Sequence, residues 1–326
     1  MMEWQIVFTG PEQAELRELP VDEAPLGATE VLGRTLFTAV SPGTETAVYV
    51  NQRADTPPSA TGYAAVFEVT AVGAEVKSVR PGRVCFAMAP HRSLQRLPEQ
   101  GLIPLPTGLA AEQAPLARLM NVTMSTLTTT TARPPGKVLV TGLGIVGLLG
   151  AQVFRAAGYE VHACEPDDVR RGLAEKLGFK HLYKFPPQDD PVVTGQVELV
   201  LECSGHENAA LAGCHMVRKR GEVVLVGVPW FKKSELTAHE LLHAIFHKYA
   251  VVRSGWEWEV PRQPTDFQVG SMQANLRAAL EWLAEGKVTV AGLYDVMAPG
   301  DCQAIYQGLM QRTLPRPAVV LDWGQV

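Results

Sequence analysis

The sequence has few of the features that anchor or cross-link a chain. Its five cysteines are scattered through 326 residues, and no two of them form a C-x-x-C pair. Neither a disulfide framework nor a cysteine-rich zinc lobe is therefore expected. The formal net charge is -5 and no Lys/Arg-rich run is present, which argues against nucleic acid as a partner.

Long apolar segments are also absent. The longest apolar run, 138–154, is interrupted by glycines, and no basic region precedes an apolar stretch near the N-terminus. We expect no membrane span and no signal peptide, and hence a cytoplasmic protein. What remains is an ordinary globular composition, 46% hydrophobic and 19% charged, with a length that suits one large or two medium domains.

The chain contains two kinds of secondary-structure pattern. Up to about Leu105, short β runs such as Trp4–Phe8 and Val66–Val72 alternate with Pro/Gly turns, which predicts an antiparallel, barrel-like unit. After Pro134-Pro135-Gly136, apolar strands alternate with helices of about 10–15 residues, which is typical of βαβ units and a parallel sheet. The sequence therefore predicts an α/β protein.

The apolar strand Lys137–Thr141 leads directly into a glycine-rich turn that opens a helix. The turn has the spacing G-x-G-x-x-G and consists of Gly142, Leu143, Gly144, Ile145, Val146 and Gly147. In a dinucleotide-binding turn the first glycine permits the sharp bend, the second lets the pyrophosphate approach, and the third allows close helix–strand packing. The N-terminus of the helix then binds the phosphates. The motif predicts a Rossmann domain that binds a nicotinamide dinucleotide.

An acidic residue, Glu165, follows the next predicted strand, Glu160–Cys164. A carboxylate at this position accepts hydrogen bonds from the ribose hydroxyls and repels a 2′-phosphate. NAD(H) is therefore favoured over NADP(H). Two alternatives stay open: Glu165 could be an exposed turn residue, and Arg170 or Arg171 could bind a phosphate.

In the order of its motifs, the chain resembles the medium-chain dehydrogenase/reductase superfamily over nearly its whole length. The motifs are Arg80–Val84, Gly142–Gly147, Glu202–Gly205, Val224–Pro229 and Leu280–Lys287. The resemblance implies a GroES-like, β-rich catalytic domain into which the Rossmann domain is inserted, with the substrate bound in the interdomain cleft. It also implies a homodimer and further cofactor contacts from Cys203, Ser204, Gly227 and Val228.

This resemblance divides the chain into three segments. Residues 1–118 form the first part of the catalytic domain, 119–255 the Rossmann domain, and 256–326 the return to the catalytic domain. Within the superfamily, the Ser-x-Gly-Thr-Glu and Gly-Tyr patterns are most similar to the branch that contains bacteriochlorophyllide dehydrogenases. Those enzymes oxidise a hydroxyethyl group on a macrocycle.

The sequence departs from the zinc-containing members at each position where they hold the metal. Ser41 stands near the first ligand position, Tyr63 replaces the histidine of a Gly-His-Glu motif, and no cysteine lies near Leu119. Zinc needs thiolate, imidazole or carboxylate ligands. We therefore expect no zinc and no other metal at this site.

Without zinc, a hydrogen-bond donor or general acid must manage the charge on the substrate oxygen. Tyr63 is the first candidate, although an aromatic ring packed under the cofactor explains it equally well. Ser41, Thr44 and Glu45 lie in the segment where zinc members keep a ligand and a proton-relay hydroxyl, and Glu45 could equally be structural. His91 is a further candidate, but a lone loop histidine is more often a solvated surface residue.

Two other sequence features need an explanation. Trp256 and Trp258 suit a bulky or flat apolar substrate, although domain packing explains them nearly as well. His239, Glu240 and His243 fit H-E-x-x-H, the motif of zinc metallopeptidases, and His247 extends the stripe. The longer metzincin continuation fails because Phe246 stands where glycine is required.

The sequence thus predicts a zinc-independent, NAD(H)-preferring oxidoreductase that acts on an alcohol or carbonyl group of a small molecule. An enoyl or quinone reductase with the same cofactor is the first alternative. A non-catalytic nucleotide-binding protein and an H-E-x-x-H zinc hydrolase are more remote alternatives.

Overall fold

The computed structural model describes residues 2–53, 55–268 and 270–326. Two units are present, of which the first contains the chain up to Arg118 together with Leu280–Ala284 and Val290–Val326, and the second contains Leu119–Ala279 and Glu285–Thr289. The predicted second boundary, at 255/256, lies earlier than the observed one. The reason is local bonding, because Glu259 accepts hydrogen bonds from Thr129 and Arg253 of the second unit.

The first part of the chain forms strands that pair antiparallel. They are β1 (Met2–Gly10), β2 (Gln13–Pro20), β3 (Glu30–Val40), β4 (Ser59–Ala60), β5 (Ala65–Val72), β6 (Val84–Ala87), β7 (Leu94–Pro98) and β8 (Ile103–Pro104), with helix α1 (Thr44–Asn51) between β3 and β4. The pairing confirms the β-rich first domain that the alternating strand pattern predicts.

The middle of the chain alternates strands with helices. Its elements are α2 (Ala117–Thr129), β9 (Lys137–Thr141), α3 (Ile145–Ala156), β10 (Glu160–Cys164), α4 (Asp168–Lys176), β11 (His181–Tyr183), β12 (Val197–Glu202), α5 (Glu207–Met216), β13 (Val217–Leu225), α6 (Ala238–Lys248), β14 (Val251–Ser254) and α7 (Met272–Ala284). This alternation confirms the pattern of strands and helices that the sequence predicts after Pro134-Pro135-Gly136.

The tail returns to the first unit with β15 (Tyr294–Met297), α8 (Cys302–Gln311) and β16 (Ala318–Asp322). β16 pairs antiparallel with β3 in a sheet ordered β15-β16-β3-β5-β6-β8, in which β7 also pairs with β3. A smaller sheet has the order β2-β1-β4. The core of this unit includes the buried rings of Phe8, Tyr49 and Tyr306, and the ring centroids of Phe8 and Tyr306 lie 4.8 Å apart.

The second unit is built on one parallel sheet, ordered β11-β10-β9-β12-β13-β14. Counted within the unit, this order is 3-2-1-4-5-6, the doubly wound arrangement of the Rossmann fold. Parallel strands covered on both faces read as continuous apolar runs, and in β9 the residues from Val138 to Thr141 are all buried. The predicted α/β class is confirmed.

Two helices escaped the sequence analysis. Helix α1 is only eight residues long, and α2 contains many threonines, whose β-branched side chains weaken the helical signal. Within the part of the chain that the structure describes, no helix is both long and apolar enough to cross a membrane.

Candidate functional site

The glycine-rich turn lies at the carboxyl end of β9, where the strand order of the sheet reverses. Gly142 has φ +86°, and a Cβ there would lie 2.9 Å from the backbone nitrogen of Ser204. A Cβ on Gly147 would overlap the carbonyl oxygen of Gly142, whereas a Cβ on Gly144 would meet no atom within 4 Å. The first and third glycines are thus required by packing, and the second faces open space.

This geometry fits the pyrophosphate of a dinucleotide. Helix α3 begins at Ile145, directly after Gly144, and no side chain caps its N-terminus. The first N–H groups of a helix have no partner within the helix, and together with the helix dipole they attract anions. The glycine turn and the start of α3 therefore suit the pyrophosphate that the sequence motif predicts.

Glu165 follows β10 beside this turn and is buried rather than exposed. One carboxylate oxygen accepts a hydrogen bond from the N–H of Leu143 at 2.7 Å, and the other accepts one from Asp167 at 3.1 Å. The alternative of an exposed turn glutamate is wrong. The N–H of Leu143, which the sequence analysis counted among the cofactor contacts, donates to Glu165.

The two arginines near Glu165 differ in their surroundings. Arg171 donates to the carbonyl oxygen of Glu165 at 2.7 Å and is paired with Asp168. Arg170 lies in the first turn of α4, where its backbone N–H donates to the capping Asp167. Arg171 is therefore committed to holding this loop, and Arg170 keeps the half-buried position that a phosphate-binding residue needs.

The loops after β12 and β13 come together beside the glycine turn. They carry the predicted cofactor residues Cys203, Ser204, Gly227 and Val228. The carboxylate of Glu202 accepts hydrogen bonds from the N–H groups of Ser204 at 2.8 Å and Gly205 at 3.0 Å, and the N–H of Gly227 donates to the Glu202 carbonyl at 2.6 Å. A Cβ on Gly205 would lie 2.7 Å from the Val228 oxygen.

Glu202 holds these loops together, and the sequence analysis did not select it as a site residue. Burial raises the pKa of this carboxyl, although the hydrogen bonds from Ser204 and Gly205 work in the opposite direction. The available signal was an acidic residue at the end of the apolar strand 199–202.

Exposed aromatic side chains cluster at the carboxyl ends of β13 and β14, which are adjacent and parallel. The predicted Trp256 and Trp258 are 54% and 45% exposed, and the Arg262 guanidinium lies 5.1 Å from the Trp258 ring centroid. Trp230 and Phe231, which the sequence analysis did not select, are also exposed. Exposed apolar ring surface therefore follows the carboxyl ends of these two strands.

In the first unit, Glu45 and His91 form a buried pair. Glu45 is 3% exposed and His91 is fully buried, and the His91 Nε2 lies 3.0 Å from a carboxylate oxygen of Glu45. The same oxygen accepts hydrogen bonds from Thr61 at 2.7 Å and from Tyr306 at 2.6 Å. The expectation that a loop histidine is solvated is wrong for His91.

Each member of this pair has a further hydrogen-bond partner. The other Glu45 oxygen accepts the Ser41 N–H at 2.8 Å, and the His91 Nδ1 lies 2.7 Å from the Thr38 hydroxyl. Burial alone raises the pKa of Glu45, but the attraction of His91 and the hydrogen bonds from His91 and Tyr306 hold that pKa below its ordinary value. Glu45 is therefore an ionised structural group of this unit.

Tyr63 lies in front of this pair among other hydroxyl groups. The side chains of Ser41 and Thr44 lie close enough to its phenol to act on its pKa, and the guanidinium of Arg118 lies 4.6 Å from the ring centroid. Burial raises the pKa of Tyr63, and the positive charge of Arg118 opposes the increase. The structure thus brings together Ser41, Thr44 and Tyr63, and adds a buried cation, Arg118, that sequence reasoning missed.

This group of side chains does not fit a zinc ion. Zinc binds thiolate, imidazole or carboxylate, whereas the side chains present here, Ser41, Thr44 and Tyr63, offer hydroxyl oxygens. The nearby Arg118 is positively charged and would repel a divalent cation. The carboxylate of Glu45 is already occupied by four hydrogen bonds.

The H-E-x-x-H segment lies on α6, and its histidines are exposed on the helix surface. Glu240, which a metallopeptidase would use as a base, completes a capping box by accepting hydrogen bonds from the N–H and hydroxyl of Thr237, both at 2.8 Å. The ring centroids of His239 and His243 lie 6.1 Å apart. The motif is explained by the start of a helix.

The parallel sheet, its strand order and the glycine turn define a unit of the Rossmann type. A family model described as zinc-binding dehydrogenase matches residues 146–257. L-threonine 3-dehydrogenase of Pyrococcus furiosus is 30% identical over 277 residues, which cover 68% of this chain and 75% of the relative. The chain therefore belongs to the zinc-binding dehydrogenases of the medium-chain dehydrogenase/reductase superfamily.

Solved structures agree with this assignment at the level of the fold. Galactitol-1-phosphate dehydrogenase from Escherichia coli has a TM-score of 0.82 at 16% identity, covering 98% of this chain and 99% of that one. A dehydrogenase from Sinorhizobium meliloti, solved with NADP bound, has a TM-score of 0.78 at 16% identity and covers 99% of each chain. The protein is an enzyme with dehydrogenase activity, and the alternatives of a non-catalytic protein and a zinc hydrolase are set aside.

We expect Glu45→Gln to lower the free energy of unfolding by about 3–5 kcal/mol at neutral pH, because it removes the charge from a buried pair. The pKa of Glu45 is lowered in the folded state, so its stabilising effect is present above the unfolded-state pKa and is lost as pH falls through the folded-state pKa. The difference between wild type and variant should therefore shrink in acid. Urea unfolding across a pH series measures both effects.

Glu18→Gln, on the exposed face of β2, is the matched control and should change stability by less than about 0.5 kcal/mol. Equal effects of the two substitutions at all pH values would contradict the assignment of Glu45 as an ionised buried group.

We expect Gly144→Val to abolish nucleotide binding, because the added side chain would occupy the space that a pyrophosphate needs. NADH titration followed by energy transfer from the tryptophans measures the loss. Gly172→Val is the control, since a Cβ there also meets no atom within 4 Å but lies on α4. Unchanged NADH affinity in the Gly144 variant would refute the phosphate-turn assignment.

Proposed function

We propose that the protein is a zinc-independent, NAD(H)-preferring dehydrogenase that transfers hydride between the nicotinamide and an alcohol or carbonyl group, with Tyr63 as proton donor and acceptor. The observation that carries the proposal is the set of hydroxyl groups around Tyr63, together with Arg118. By the resemblance, Ser41 and Tyr63 stand at or near positions where zinc-containing members hold their metal. Bound nicotinamide supplies the hydride chemistry. The protein must supply the proton and stabilise charge on the substrate oxygen.

Tyr63 has the properties that this task needs. The hydroxyl groups of Ser41 and Thr44 lie beside its phenol and can carry a proton onward. Because burial raises its pKa, the phenol keeps its proton at neutral pH and can donate it to a carbonyl oxygen as hydride arrives. The guanidinium of Arg118 stabilises negative charge that develops on either oxygen. The same protonated phenol suits an enoyl or quinone reductase, which remains the second candidate.

The preference for NAD(H) rests on Glu165. Its carboxylate lies at the end of β10 and receives the Leu143 N–H of the phosphate turn. An ionised carboxylate there repels a 2′-phosphate and can exchange the backbone N–H for the ribose hydroxyls. Arg171 is occupied by Asp168 and the Glu165 carbonyl, which leaves Arg170 as the cation that NADP(H) would have to use.

For the substrate, we propose a bulky or flat secondary alcohol. The names of the relatives describe hydroxylated substrates, threonine and a sugar-alcohol phosphate. The exposed rings of Trp230, Phe231, Trp256 and Trp258 favour a larger apolar body, in line with the macrocycle of the bacteriochlorophyllide branch. We also propose a cytoplasmic homodimer. Its support is the edge position of β14 and the exposed Leu242 and Phe246 of α6, of which Phe246 is 76% exposed.

We expect Glu165→Ser, combined with Pro166→Arg, to shift the ratio of NADH to NADPH affinity towards NADPH by more than tenfold, since a repulsive charge is replaced by an attractive one. Parallel titrations with the two nucleotides measure the ratio. Glu175→Ser on α4 is the control and should leave it unchanged. The same ratio in all three proteins would mean that Glu165 does not lie at the ribose.

We expect Tyr63→Phe to lower kcat by about 10²–10⁴-fold with a smaller change in KM, because the group that exchanges the proton is lost. Since the pKa of Tyr63 is raised, alcohol oxidation in the wild type should accelerate with rising pH, and the variant should lose this dependence. Rates with NAD⁺ and a panel of alcohols and polyols provide the measurement.

Tyr249→Phe, which alters an exposed tyrosine, is the matched control for activity. Wild-type enzyme treated with a strong chelator should keep its activity. A loss that added zinc restores would overturn the zinc-independent mechanism, and an unchanged pH profile in the Tyr63 variant would exclude its role as proton donor.

A further inference from the structure

A compact group of metal-binding side chains lies on the sheet of the second unit, apart from the nucleotide turn. Strands β10 and β11 pair in parallel with His162 opposite His181, so both imidazoles lie on the same face of the sheet. Glu160 shares this face because it lies two residues before His162. One ligand atom from each of the three side chains lies within 4.8 Å of the other two.

We propose that Glu160, His162 and His181 form a binding site for a divalent transition metal of the zinc type. Two imidazoles and one carboxylate are a donor set that Zn²⁺ accepts, and a fourth position stays open to water. Ligand atoms around tetrahedral zinc lie about 3.3 Å apart, since each is about 2.0–2.1 Å from the metal. The exposed side chains of Glu160 and His181 can close this distance by small rotations around the buried His162.

His162 is already oriented for this role. It is 2% exposed, its Nε2 lies 2.9 Å from a Glu160 carboxylate oxygen, and its Nδ1 lies 3.2 Å from the hydroxyl of Tyr183. Its ring stacks on that of His181, with centroids 4.5 Å apart. In a metal-bound histidine, the N–H of the ring nitrogen that does not bind the metal characteristically donates a hydrogen bond to an oxygen atom. This bond fixes the tautomer and the direction of the lone pair.

Metal binding at His162 requires only that the single ring proton move from one ring nitrogen to the other. In the metal-free protein, the Nε2–H of neutral His162 donates to Glu160 and the hydroxyl of Tyr183 donates to Nδ1. When a metal takes the Nε2 lone pair, the single ring proton moves to Nδ1 and the Tyr183 oxygen becomes the acceptor.

One charge acts against the site. The ammonium group of Lys137, on β9, lies 3.4 Å from the Glu160 carboxylate. It competes with a cation for this oxygen and limits the affinity. Among residues 2–53, 55–268 and 270–326, no other group of three His, Cys, Asp or Glu side chains brings its ligand atoms this close. The nearest rival is the exposed pair His243 and His247 on α6, whose ring centroids lie 4.2 Å apart.

The test is a titration of chelator-treated protein with Zn²⁺, and with Co²⁺ for its visible absorption, in the background variant H239A/H243A/H247A. That background removes the exposed histidines of α6. We expect one equivalent to bind, with the absorption of four-coordinate Co²⁺. H181A and E160Q should each weaken binding by about a hundredfold or more, and Y183F by about ten- to a hundredfold.

K137M should tighten binding, because it removes the competing charge. A purely structural role of Lys137 and Glu160 predicts no gain for this variant, and the gain therefore separates the two explanations. No stoichiometric binding, or equal affinity in the background and in H181A, would overturn the proposal. NADH titration of H181A should match that of the background, so a failure of the metal site is distinguishable from a failure of the nucleotide site.

Discussion

The nucleotide unit depends on one backbone contact that leaves no room for a side chain. Gly147, in the first turn of α3, lies against the carbonyl oxygen of Gly142 at the end of β9. This approach brings the N-terminus of α3 to the point where the strand order reverses, so the uncapped N–H groups face the carboxyl edge of the sheet. Any side chain at Gly147 would push α3 away from β9, and the N-terminus of the helix would then no longer lie at the point where the strand order reverses.

The neighbouring loops follow the same rule. Gly142 packs against Ser204, and Gly205 packs against Val228, each at a distance that excludes a Cβ. Glu202 then joins the loops by hydrogen bonds to backbone N–H groups. The cradle for the cofactor is therefore made of backbone, and its precision comes from close packing rather than from side chains that reach towards a ligand. This is why glycine spacing alone was so informative.

The sequence could predict the features that are local in the chain. The apolar strands β9 and β10 and the glycine turn between them are encoded by neighbouring residues, and the predicted bounds of both strands match the observed ones. The pairing of Glu45 with His91 joins positions 46 residues apart on different elements, and no periodic pattern reports it. Arg118 was not predicted either, because it is distant from Tyr63 in the sequence and lies beside it only in the folded unit. His91 looked like a surface residue because loops are usually exposed.

In the first unit, the differences from zinc-containing members depend on one another. Zinc supplies a positive charge and accepts a lone pair of the substrate oxygen, whereas the guanidinium of Arg118 supplies only charge and hydrogen-bond donors. In the mechanism that we propose, a proton donor held in a fixed place polarises the carbonyl instead, and that donor is Tyr63 beside Ser41 and Thr44. A donor works only if its supports do not move. The buried Glu45–His91 pair costs desolvation energy. It is anchored by Thr61, Thr38 and Tyr306, and it holds the backbone of Ser41 through the N–H that donates to Glu45.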